Sequence, residues 1–133
     1  MHVPRGLWSL CVVALTSAFW LSGITKLADF DGAVQEVRGL AGVEPAPLFA
    51  ALVIVTQLAA PLILLLGGRW RWVGAVWLAG FTAVATLVAH AWWLNEGASR
   101  ARDFATFFEH VGLIAGLALA ALTAPRPAAT AAA

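Results

Sequence analysis

The chain has 133 residues, of which 62% are hydrophobic and only 11% charged, with a formal net charge of +1. A charged share far below the roughly one quarter of soluble domains excludes an ordinary water-soluble fold, and the scattered basic residues exclude a nucleic-acid-binding surface. The single cysteine, Cys11, excludes an intramolecular disulfide and paired-thiol redox chemistry; inside an apolar run it reads as a buried structural thiol.

Four apolar runs each approach the roughly 20 residues that cross a hydrocarbon core. They predict an all-α fold, a four-transmembrane-helix bundle with a short amphipathic interfacial helix between spans one and two. The spans are expected at about residues 7–24, 48–66, 72–94 and 104–124, and the interfacial helix at about 30–41, all in one domain over 1–124. The tail 125–133, rich in Pro and Ala, is expected to be disordered.

Span one follows M-H-V-P-R, the outline of a signal peptide. Its apolar character runs on through Phe19, Trp20 and Leu21, and three more runs follow, so it reads as a retained helix. Trp8 and Trp20, near its ends, suit the headgroup level. The stretch L-S-G-I-T-K-L-A-D-F then brings in Lys26 and Asp29, and Asp29 or Asp31 is placed to cap the next helix. In that helix Phe30, Val34, Val37 and Ala41 form an apolar stripe opposite Asp31, Gln35, Glu36 and Arg38.

Gly42, Pro45 and Pro47 end it, and span two carries one strongly polar residue, Gln57, near its middle. Pro61, four residues on, cannot donate to the carbonyl of residue 57. Gln57 is read either as satisfied by a neighbouring helix or as part of a ligand or proton path. The turn Gly67-Gly68-Arg69-Trp70-Arg71 leads to span three, which ends at Trp92-Trp93, and Asn95 to Asp103 reads as a loop. Span four must begin at Phe104, which puts Glu109 and His110 inside it, and Gly112, Gly116 and Ala120 recur every four residues as a helix-packing stripe.

Spans one and three end, and span four begins, on one membrane face. There Lys26, Asp29, His90, Glu109 and His110 are expected at similar depth, about 6–7 Å in at 1.5 Å per residue. One reading is an interfacial polar network; another is a polar mouth over an apolar cavity, where a histidine holds the head of a quinone-like ligand. A metal site from His90, His110 and Glu109 is disfavoured, because adjacent helical residues point about 100° apart. No catalytic motif occurs, so autonomous catalysis is not expected. The Lys and Arg count is tied between the two faces; the compact turn with Arg69 and Arg71 favours cytoplasmic termini.

The ordered motifs S-G-I-T-K-L-A-D-F, Q-L-A-A-P-L-I-L-L-L-G-G, A-H-A-W-W and F-F-E-H-V-G-L-I-A-G-L resemble the DoxX family of small four-helix membrane proteins. The family often has an acid where Gln57 stands and a Lys-Asn pair where Glu109 and His110 stand, so no proton role passes to Gln57. The resemblance implies an accessory subunit of the bacterial plasma (inner) membrane, possessing a protein partner or a homo-oligomeric contact and linked in some relatives to quinone-dependent sulfur oxidation. Two other readings stay open: a small transporter working through Gln57 and the Pro61 break, and a structural assembly factor without ligand.

Overall fold

In the computed structural model, which describes residues 3–125, the chain forms six α-helices. They are α1 (Arg5–Leu15), α2 (Ser17–Ala28), α3 (Phe30–Ala41), α4 (Ala46–Leu66), α5 (Trp70–Ala89) and α6 (Gly97–Thr123), with a short 3-10 helix at Trp92–Leu94. Among the described residues there is no strand. Three helices, α4, α5 with its 3-10 extension, and α6, are long and apolar enough to cross a membrane; α1 and α2 pass the same test only as a pair bent by 52°. Of the expected disordered tail, all but Pro125 lies outside the described residues.

The break in span one is a departure from the continuous helix expected over 7–24. Its cause is Thr16, fully buried between the two halves. The Thr16 hydroxyl donates to the Val12 carbonyl at 2.8 Å and accepts the indole N–H of Trp20 at 3.1 Å. Such bonding back along the helix competes with the backbone ladder and bends it. Thr16→Val keeps the shape but removes both bonds; we expect it to cost about 1–2 kcal/mol, read as a lower thermal midpoint in detergent.

Helix α4 is the hub, packing on α1, α2, α3 and α5, while α6 packs on α5 and α1. At one end of α4, Ala60 and Leu64 meet Trp8, Val12, Leu78 and Leu117; at the other, Ala46 and Ala50 meet Ala33 and Val34 of α3. The interior therefore favours small residues, and large ones face out: Leu10, Leu66 and Val76 are each about two-thirds exposed. That distribution suits helices whose outer faces meet hydrocarbon, where close backbone approach takes the place of a large apolar core.

Trp8 and Cys11 exchange their expected places. Trp8 is 5% exposed, and its indole N–H donates to the Ala120 carbonyl at 2.9 Å, so the ring fills the bundle instead of marking the headgroup level. Cys11 is exposed on the outer face of α1, because Trp8 and Val12, one turn apart, already define the inward side. The α6 stripe is used in part. Gly116 abuts Leu15 and Ala120 is buried, while Gly112 has open space where a Cβ would stand.

Helix α3 forms as expected, with Asp29 as its cap: the carboxylate accepts from the Gly32 amide at 3.0 Å. Its buried side is Ala33 and Val34, with Val37 half-buried, narrower than the expected stripe, since Phe30 and Ala41 are exposed. Beyond Gly42, Arg38 donates to Glu44 at 2.7 Å, and the second Glu44 oxygen accepts the Ala46 amide, also at 2.7 Å, at the start of α4. The Arg38 bond first, then the Ala46 amide, holds the Glu44 carboxyl below the usual 4.5. A depressed carboxylate contributes stability above its unfolded value and loses it as pH falls through the folded one. Fraying of the first turn of α4 is thus expected only below about pH 4.5, and Glu44→Gln should show it at pH 7; amide exchange at Ala46 and Leu48 measures both.

Candidate functional site

Helix α5 ends at Ala89, five residues short of the expected span limit, and His90 becomes its C-cap. The chain then folds through the 3-10 helix, whose Trp92 ring packs edge-on against Phe104 and Trp93 against Phe107. Helix α6 starts at Gly97 rather than Phe104, so Arg100, Arg102 and Asp103 lie in helix and not in a loop. Asp103 is thereby carried inward to 7% exposure.

Asp103 is the centre of a hydrogen-bonded group. One carboxylate oxygen accepts from Asn95 Nδ2 at 2.7 Å; the other lies 3.3 Å from His90 Nδ1. Two turns further along α6, His110 places its Nδ1 2.8 Å from the Thr86 hydroxyl. The two imidazole centroids stand 5.3 Å apart, edge to face. Neither Nε2 has a partner among the described residues, and neither is sealed from the surface. An open groove of ≈ 370 Å³ is lined by Trp92, Gly97, Arg100, Ala101 and Phe104, none of them a member of this network, and the Arg100 guanidinium stands 5.4 Å from the Trp92 ring centre.

The other polar groups expected at this depth go elsewhere. Lys26 pairs with Glu36 of α3 at 2.8 Å and with the Ser22 hydroxyl at 3.2 Å, and α2, which carries it, packs on α4, α3 and α1. Asp29 caps α3. Glu109 is exposed, turned away from the His110 side of the helix. Gln57 is 7% exposed, with its Oε1 buried and unpartnered among the described residues. Among those residues no group of three or more His, Cys, Asp and Glu side chains could hold a metal ion.

The DoxX family model matches residues 9–91, from the first helix to just past His90. The chain belongs to the DoxX family. No curated protein and no solved structure matches it. As a DoxX protein with helices of this length and hydropathy, it is an integral membrane protein whose outer faces contact lipid.

The matched DoxX residues include Thr86 and His90 but stop before α6, so Asp103 and His110 come from beyond them. Sequence reasoning found both histidines and missed Asp103, Asn95 and Thr86. Two spacings carried the signal: Thr82 and Thr86 four apart on one face of α5 with His90 four further on at its C-cap, and Asp103 and His110 seven apart on one face of α6.

Proposed function

We propose that this DoxX protein is an accessory subunit of a membrane redox system that holds the head group of a quinone-class ligand at the His90–His110 pair. The chain crosses the bilayer four times, α1 and α2 making one broken span, with α3 on the interface. It resides in the bacterial plasma membrane with cytoplasmic termini and works beside a redox enzyme. The observation that carries this reading is the pair of imidazoles 5.3 Å apart, each engaged through Nδ1 and open at Nε2. Two free ring nitrogens can hydrogen-bond the oxygens of a ring ligand.

Tryptophan quenching in lipid nanodiscs titrated with a short-chain ubiquinone analogue, in its oxidised and reduced forms, tests the site. Saturable binding is expected, weakened at least tenfold by His90→Ala with His110→Ala. Absence of saturable quenching by either form, or equal affinity in the double variant, rejects it.

A second reading rests on Gln57, whose buried Oε1 lacks a partner while Pro61 leaves the carbonyl of residue 57 without its usual donor. A polar group left open inside an apolar bundle suits a permeation path. It requires solute or proton flux in reconstituted vesicles that Gln57→Leu abolishes; flux equal to that of empty vesicles excludes it.

A further inference from the structure

The hydrogen bonds around the histidine pair can be followed proton by proton, and they specify what kind of atom the site awaits. The Thr82 hydroxyl donates to the Leu78 carbonyl at 2.8 Å, and the Thr86 hydroxyl donates to the Thr82 carbonyl at 2.6 Å. A hydroxyl has one proton, so Thr86 has only a lone pair left for His110. The short contact between them therefore requires the proton on His110 Nδ1. His90 Nδ1 faces a carboxylate oxygen of Asp103, which can only accept, so it too carries a proton. A neutral imidazole has one N–H. With both rings neutral it is spent at Nδ1, and both Nε2 atoms are acceptors.

We propose that the site is a hydrogen-bond acceptor pair selective for the reduced, dihydroxy form of a ring ligand over the oxidised, dicarbonyl form. This rests on the quinone-class reading of the same site. A hydroquinone hydroxyl donates to Nε2; a quinone carbonyl meets it acceptor to acceptor and gains nothing for the water it displaces. Thr86 and Asp103 are positioning residues, since they act on the ligand only by fixing which nitrogen of each ring holds the proton. Preference for one redox form is linked to the couple itself. Tenfold tighter binding of the two-electron reduced form makes the bound ligand easier to reduce by about 30 mV.

The test is a pair of affinities on the intact protein in nanodiscs at pH 8, where an ordinary imidazole is neutral, measured with decylubiquinol under anaerobic conditions and with decylubiquinone. The quinol is expected to bind at least tenfold more tightly. In Thr86→Val the acceptor for His110 is gone and that ring is free to turn its proton to Nε2, so the ratio should fall severalfold even where the two affinities remain measurable. A ratio near one, or one favouring the quinone, overturns the selectivity while leaving the binding site in place. Failure of both forms to bind removes the quinone-class reading itself. An unchanged ratio in a folded Thr86→Val protein removes Thr86 from the role, and the wild-type ratio stands as a test should that variant not fold.

Discussion

Gly74→Ala is expected to destabilise the bundle by about 2 kcal/mol or more, the scale of forced overpacking. A Cβ built there would abut the Leu64 amide nitrogen and stand 2.7 Å from the Ala60 carbonyl oxygen and 2.8 Å from Leu64 Cα. These are backbone atoms of α4, and backbone in a helix cannot swing aside as a leucine tip can. The hub helix and α5 would have to part along the seam that buries Leu64, Ala75 and Leu78. Helix propensity alone argues the opposite, since alanine exceeds glycine by about 1 kcal/mol in a helix interior. The sign of the effect is thus diagnostic. Gly80, on the same helix, has nothing within 4 Å of a built Cβ, and Gly80→Ala should leave the midpoint unchanged or raise it. Thermal unfolding of the two variants in one detergent decides, and a neutral Gly74→Ala would contradict the packing described.

Asp103→Asn is expected to loosen the His90–Asn95 turn while leaving the rest of the bundle folded. The carboxylate accepts from two sides, Asn95 Nδ2 and His90 Nδ1. An amide of the same shape has one acceptor and one donor end, so with Asn95 and His90 in their present orientation and tautomer its NH2 faces a donor on one side. The cost is about 1–3 kcal/mol, that of a buried group left without a partner, which corresponds to roughly a 5–150-fold rise in local opening at 1.4 kcal/mol per tenfold. Hydrogen exchange over residues 90–96 should rise by that order. The exchanged pair, Asp103→Asn with Asn95→Asp, restores a donor facing an acceptor and should recover much of the protection. Non-additivity of this kind is the mark of direct contact; simple addition of the two single effects would argue against it.

The long apolar runs were legible in the sequence because each span needs a length of hydrocarbon-compatible residues, and α4 and α5 begin within two residues of their expected starts. Where the reading missed, a distant partner decided the outcome. Trp8 near a span end has the look of an interfacial anchor until a carbonyl 112 residues away takes its N–H. The polar run from Asn95 to Asp103 looks like a loop. Its Asp103 becomes interior only because Asn95 and the end of α5 supply the donors a buried carboxylate needs. His90, at the C-cap of α5, leaves the helix to meet it. The depth expected in common for Lys26, Asp29 and the histidines says nothing about helix rotation, which packing sets. Lys26 turned to Glu36 on the helix that follows its own.

The bond from Trp8 to Ala120 closes a ring through nearly the whole chain. At the same end Arg71 donates to the Ala121 carbonyl at 2.7 Å and to Gly68 at 2.6 Å. During synthesis the first helix leaves the ribosome long before its acceptor exists, and contacts this distant in sequence form late. Until the last turns of α6 arrive, the indole of Trp8 has no native acceptor inside the bundle and Arg71 has only its local carbonyl. Closure of the bundle is therefore tied to the arrival of the last turns of α6. A ribosome stalled before Ala120 should hold an α1 that is inserted but unclasped, accessible to quality-control proteases until the end of α6 emerges.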